Sequence, residues 1–410
     1  MRRPIENAWP GYRTSALAPL VLLAALGGGT IRADEPVTFA GGRIRLGGEA
    51  SGTFSTPDNR SYFNYTDYLR SNLRLFRLNL DVEAHAGPHV ALVGQVRSDN
   101  LDSPRPYALY LRVRPFTARA FDIQAGRIPP VFGSYPRRQY ALDNPLPGMP
   151  LAYQYLTTLR ADALPYSVDD FHAQQGNGWL VRGYPIGNQY PAPGLPLVNA
   201  EHWDAGVEMR IGADPLQLAV AVTQGTLSHP LVEDDNDGKQ VSARLAWRPA
   251  VGLVLGASGA SGEYLSDEAT DPLSASSRGA YRQNATGLDA EYSAGYWILR
   301  AEAVWTGWQL PPLPGGSVDR IEALGVMLEA RYKVAPGFYL AGRADHLGFS
   351  RVESVPAPFR WDAPVTRVEI GAGYSPIRRV LVKASLQHNR REGGTVHVRT
   401  YLAGQVVLWF

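Results

Sequence analysis

Val396-His397-Val398-Arg399-Thr400-Tyr401-Leu402-Ala403-Gly404-Gln405-Val406-Val407-Leu408-Trp409-Phe410 alternates with a period of two. Even positions carry Val396, Val398, Leu402, Val406, Leu408 and Phe410, whereas His397, Arg399 and Gln405 stand among the odd ones. Successive side chains of a β-strand point to opposite faces, so this stretch reads as one long strand with an apolar and a mostly polar face. Phe410 falls in the apolar register. The same pattern returns upstream in Val380, Val382, Ala384 and Leu386 against Lys383, Ser385 and Gln387, and in Val368, Ile370, Ala372 and Tyr374 against Arg367 and Glu369.

Counting all such segments predicts about sixteen strands, starting near Gly42, Asn72, Pro88, Tyr107, Arg119, His202, Pro215, Gln240, Gly252, Asn284, Tyr296, Ile321, Gly337, Val365, Arg379 and Val396. Connections alternate between brief turns, such as Ala86-Gly87-Pro88 and Ala335-Pro336-Gly337, and longer polar segments. An even count with alternating short and long connections fits an all-β, transmembrane antiparallel barrel over residues 42–410, with both termini on the short-turn side. Aromatic residues give an independent expectation, because outward rings collect at the two membrane surfaces. Phe121, Trp247, Tyr292, Trp297, Tyr332, Phe338, Tyr374 and Phe410 are predicted at the short-turn end, and Phe54, Trp203 and Trp305 at the other.

Composition agrees with many strands joined by turns: Gly 42, Pro 32 and Tyr 21 are all generous. A net charge of +2, with basic residues spread along the chain, excludes a nucleic-acid footprint. Only Lys239, Lys333 and Lys383 are lysine, so the positive charge is almost all guanidinium. The absence of Cys excludes disulfides, thiolate metal sites and a Cys nucleophile. Arg2, Arg3 and Arg13 precede an apolar run at 16–26, and Ile31-Arg32-Ala33 fits a cleavage site. Residues 1–33 are thus expected to be a signal peptide and 34–41 a short periplasmic segment.

The terminal aromatic residue resembles the assembly signal of Gram-negative outer-membrane β-barrels, which implies that the barrel-assembly machinery reads Phe410. Residues 127–201, between the fifth and sixth strands, are far longer than ordinary connections. Sixteen-stranded porins carry an inward-folded constriction loop at this place, and the chain resembles that superfamily throughout its length after residue 33. Gly126-Arg127-Ile128-Pro129-Pro130-Val131-Phe132-Gly133 is also similar to the strand-to-loop junction of the phosphate-selective porins. That family's Lys-rich phosphate site does not map onto this sequence. The resemblance implies passive diffusion of small hydrophilic solutes, contact with outer-membrane lipid and lipopolysaccharide, and a monomeric or trimeric state.

Inward-facing charges are expected to line a watery lumen and set ion preference. Basic candidates on the wall are Arg43, Arg45, Arg77, Arg97 and Arg399. Within the long connection, Arg137 and Arg138 stand against Asp143, Asp169 and Asp170. A modest basic excess predicts weak anion preference. The long connection is alternatively a surface cap, or it adds strands at 156–164 and 179–184 to make eighteen. A barrel enzyme is the rival class: His202 shares a face with Asp204, and His388-Asn389 is similar to the His-Asn pairing of outer-membrane phospholipases, although no motif supplies a Ser. Glu233-Asp234-Asp235-Asn236-Asp237-Gly238 resembles half a calcium loop, but Arg244 stands where a bidentate Glu is needed. No cofactor or metal is expected.

Overall fold

A computed structural model describes residues 37–58, 61–66, 70–116, 120–313, 318–353 and 357–410. The expected signal peptide lies outside them. Sixteen antiparallel strands form one closed sheet: β1 (Ile44–Ser55), β2 (Phe76–His85), β3 (Val90–Asp99), β4 (Arg105–Val113), β5 (Phe121–Ile128), β6 (Asp204–Ile211), β7 (Leu216–Thr223), β8 (Gln240–Ala250), β9 (Leu253–Glu263), β10 (Arg282–Ala294), β11 (Trp297–Gln309), β12 (Arg320–Ala335), β13 (Phe338–Phe349), β14 (Val365–Tyr374), β15 (Val380–Arg391) and β16 (Val398–Trp409). Each strand pairs with its sequence neighbours. The ring closes where β16 meets β1, Glu49 lying opposite Trp409 and Ser55 opposite Ala403.

Closure follows from the solvent. A backbone N–H or C=O left unpaired in hydrocarbon costs several kcal/mol, so an open sheet edge is not tolerated there. At the seam, Phe410 N–H donates to Gly48 O at 3.1 Å and Gly48 N–H donates to Phe410 O at 3.2 Å. Below that point the short strand Val37–Phe39 takes over the edge of β1, pairing Val37 with Leu46 and Phe39 with Ile44. Part of the segment 34–41 therefore contributes to the sheet.

The alternation read from the sequence is the outside-inside alternation of the wall. Leu402, Ile370, Leu328 and Leu288 are exposed on the outer face, whereas Glu369, Gln387 and Lys383, on the inner face, are almost fully buried. Tyr292, Trp297, Tyr332, Phe338 and Tyr374 gather at the short-turn end, with the Trp297 and Tyr332 rings 4.6 Å apart. Trp203 departs from the expected belt. It is buried, packed on Tyr107 at 5.1 Å, because it belongs to the long connection as it re-enters the wall.

The connection of residues 129–203 joins β5 to β6 and runs along the inner face of the ring. Its two short strands, Ala163–Leu164 and Ile186–Gly187, pair only with each other, so they do not extend the wall to eighteen strands. Leu151, Tyr153, Leu156 and Leu159 pack with Ala285, Val304, Ile321 and Leu347 of the inner wall in one apolar core. Small residues make room for it: a Cβ on Gly325 would stand 2.8 Å from the Ala152 methyl.

Gly48 fixes how the seam packs, since a Cβ there would stand 2.6 Å from the Phe410 ring. Gly48→Val should displace that ring and destabilise the barrel by about 1–3 kcal/mol. The check is the temperature at which the folded band disappears in a heated gel-shift series, which should fall relative to the unaltered protein.

Candidate functional site

Where β5 ends, the chain must turn from the wall into the interior. Gly126 has φ +132°, and a Cβ there would stand 2.4 Å from Leu109 O, so only glycine fits. Gly133, at φ +60°, turns the chain across the ring: its N–H donates to Ser258 Oγ at 3.0 Å, and the next N–H, of Ser134, donates to Glu302 Oε1 at 2.7 Å. The Tyr153 hydroxyl donates to the other Glu302 oxygen at 2.8 Å. Burial and the neighbouring carboxylate hold the Tyr153 phenol well above its ordinary range.

A buried loop without a ladder leaves its own N–H and C=O groups in need of partners. The inner wall supplies them with charged side chains. Glu49 accepts from the N–H groups of Ala141 and Leu142 at 3.1 and 2.7 Å, and Glu369 from Gly148 N–H at 3.1 Å. Lys383 Nζ donates to Asn144 O at 2.6 Å and also to Ala141 O. Arg367 donates to Met149 O and Phe63 O at 2.7 and 2.8 Å, and Arg391 to Gly176 O at 2.7 Å. Beneath them one guanidinium gathers three carboxylates: Arg343 lies 3.0 Å from Asp345, 2.8 Å from Glu369 and 3.5 Å from Glu329. Periodicity placed these charges on the correct face. Their surroundings differ from the expected water, because the loop packs on them and makes them its docking sites, as it does with Gln95 on β3 and Tyr107 on β4.

The opposite wall keeps contact with water. Arg137, at the start of the loop, lies 3.2 Å from Glu208, and Arg210 lies 2.5 Å from the same carboxylate. Both guanidinium side chains are about a third exposed while Glu208 is fully buried. Arg114 repeats the arrangement over Asp122 at 2.7 Å, and Arg112 pairs with Glu83. At Glu208 and Asp122 the guanidinium groups thus stand in front and the carboxylate behind, whereas Glu83 is the more exposed member of its pair.

The remaining candidates divide by height. Arg43 and Arg45 are exposed at the short-turn mouth. Arg77 pairs with Asp99 at 2.7 Å and Glu201 at 3.1 Å, while buried Arg97 lies over the Tyr107 ring and donates to Asn79. Arg138 donates to Ser134 Oγ at 3.0 Å, and Asp143 is exposed. Arg399 donates to Pro57 O at the long-loop end. Asp169 and Asp170 open the helix α1 (Val168–Gln174), where Asp170 accepts from Ser167 N–H at 3.0 Å in a capping box. A cavity of about 530 Å³ beside α1 is lined by Asp170, Gln174, Arg182, Tyr184 and Gln189.

The His388-Asn389 pair does not come together. His388 faces outward with Thr400 at 2.8 Å, while Asn389 faces inward on Arg367 at 2.6 Å. Asp204 accepts from the N–H groups of Gly225 and Leu231, both at 3.0 Å. In the acidic loop, Asp234 pairs with Lys239 at 2.5 Å and Asp235 with His229 at 3.2 Å.

Asp362 is an anchor of the loop that the pattern did not mark, since it sits in a connection with no periodicity. Its oxygens accept from Thr158 at 2.6 Å, Gly176 at 3.0 Å and Ala363 at 2.7 Å, tying the loop to the β13–β14 connection. Burial pushes its carboxyl up to about 6, against the partial counter-effect of those three donors. A carboxyl raised on folding holds its proton more tightly in the docked state, so docking is strongest below about pH 4 and weakens as pH rises through 6. A spin label on Leu180→Cys should therefore be more mobile at pH 7.5 than at pH 4.5. In an Asp362→Asn background, electron paramagnetic resonance should show that difference reduced.

No protein-family model matches the sequence, and no curated protein matches it either. Solved structures do share the architecture. An outer-membrane protein of Vibrio cholerae, OmpT in its trimer form, superposes with a TM-score of 0.52 at 12% identity, over 90% of this chain and 99% of that one. The anion-selective porin from Comamonas acidovorans gives 0.54 at 11% identity, over 90% and 99%. The outer-membrane channel DcaP of Acinetobacter baumannii gives 0.51 at 13% identity, over 92% and 100%. At such identities the likeness is one of fold, a sixteen-stranded barrel.

Proposed function

We propose that this chain is an outer-membrane porin, a passive diffusion channel for small hydrophilic solutes with a weak preference for anions. The observation that carries the reading is a closed ring of sixteen strands, apolar outside and charged inside, with residues 129–203 folded against one side of its interior. The solute route then follows the β2–β8 wall, where Arg112, Arg114, Arg137 and Arg210 keep contact with water. Anion preference is supported by depth rather than by number: Glu208 and Asp122 lie behind the guanidinium groups that a solute would meet first. Arg77 and Arg97 lie toward the long-loop end of β2 and β3, Arg138 and Asp143 on the loop, Arg43 and Arg45 at the inner mouth, and Arg399, Asp169 and Asp170 toward the outer one. The trimer form of the Vibrio protein and the anion selectivity of the Comamonas porin are consistent with a homotrimer and with this selectivity. Phe410 is the residue the assembly machinery reads.

Single-channel recording in a planar bilayer tests the loop. Removing residues 135–165 should raise conductance severalfold, since the loop fills part of the lumen. Unchanged conductance would make the segment a cover outside the solute route.

A reversal potential in a salt gradient tests the selectivity. It should show mild anion preference that moves toward cations in Arg137→Gln combined with Arg210→Gln. Clear cation selectivity of the unaltered protein would reject the reading.

A further inference from the structure

Near the long-loop end, the outer face of β13–β16 breaks its apolar pattern. His346 on β13 stands opposite Thr366 on β14, and Thr366 stands opposite Arg390 on β15. His388, two residues below Arg390 on the same face, stands opposite Thr400 on β16. All five side chains are exposed on the side that meets lipid. Across the sheet, His346 and Arg390 are two interstrand spacings apart, about 10 Å, and Arg390 and His388 are about 7 Å apart along their strand.

Two bonds orient the rings. His346 Nδ1 lies 3.0 Å from Thr366 Oγ1, and His388 Nδ1 lies 2.8 Å from Thr400 Oγ1. The second ring nitrogen of each remains as a further polar atom. For His346 it lies beside Gly348, where a Cβ would stand 3.1 Å from it, so a larger residue at that position would crowd it. Directly below this row come Val368, Ile370, Leu386 and Leu402, all exposed and apolar.

An arginine on a lipid-facing position costs roughly 2–4 kcal/mol at the midplane and about 0–1 near the interface. Arg390 is the second-last residue of β15, which places it at headgroup level. A cation and two imidazoles above a band of aliphatic side chains match the profile of a lipid, with an anionic head above and acyl chains below. Charge complementarity selects a phosphate, whose oxygens accept from guanidinium and imidazole donors.

We propose that the outer face of β13–β16 binds the phosphate-bearing headgroup of a membrane lipid, with Arg390 as the cation and His346 and His388 as flanking donors. The inference rests on reading the chain as a membrane barrel, and it is independent of what the lumen conducts.

Full-length protein is inserted into phosphatidylcholine vesicles doped with lipid A or with its dephosphorylated form, and lipid retained after detergent extraction is measured by native mass spectrometry. The unaltered protein should retain phosphorylated lipid A preferentially. Arg390→Gln should weaken that retention about fivefold, the effect of one basic residue at an anionic surface. His346→Phe with His388→Phe, which keep large rings on the lipid side, should weaken it further. Equal retention of both lipid forms, or no change in Arg390→Gln, would overturn the proposal. Displacement by inorganic phosphate alone would overturn the lipid assignment. Insertion into pure phosphatidylcholine vesicles is scored separately by protease protection: failure there defeats the membrane reading itself, whereas insertion without lipid preference defeats only this site.

Discussion

Every part of this structure depends on one constraint, that no backbone hydrogen-bonding group may be left open toward hydrocarbon. The seam between β1 and β16 meets it with the Gly48 and Phe410 exchange, and Val37–Phe39 meets it where β16 has ended. Once the ring is closed, inside and outside are fixed for every residue of every strand, because a one-residue slip would turn the whole apolar set inward. Glycine at position 48 and the aromatic ring at 410 are thereby tied to each other: the one is small because the other lies on it.

The same constraint operates a second time inside the barrel. A connection folded against the inner wall is removed from water, and with few internal pairings it leaves carbonyls and amides to be satisfied by the wall. Glu49, Glu302 and Glu369 take the amides, while Lys383, Arg367 and Arg391 take the carbonyls. Charged groups do this better than neutral ones, since charge-assisted hydrogen bonds are roughly twice as strong. The desolvation of those charges is offset by mutual pairing, as in the three carboxylates around Arg343. Tyr153, Leu156 and Leu159 add apolar burial to the same docking.

Docking on one side makes the interior asymmetric. The wall beneath the loop is held together as a core, and the wall around Arg114 and Arg210 keeps guanidinium groups at water with Asp122 and Glu208 behind them. Outside, a comparable separation by height appears in the His346, Thr366, Arg390 row above Val368 and Leu386, so both faces of the wall carry chemistry superimposed on a simple alternation.

Alternation by itself determined the sixteen strands, their turns, the lipid side and the inward placement of Glu369, Lys383 and Arg343, because period two is a local property of the chain and the solvent on each side enforces it. The aromatic belt at the short-turn end was equally legible from Tyr332, Phe338 and Tyr374. Only the tertiary structure decided where residues 129–203 lie, since a Pro- and Gly-rich connection has no period to read and its partners, from Glu49 to Asp362, are far away in sequence. That placement turned inward charges from pore lining into loop anchors and drew Trp203 out of the belt. Position along a strand gives the direction of a side chain; what it meets there depends on chain arriving from elsewhere.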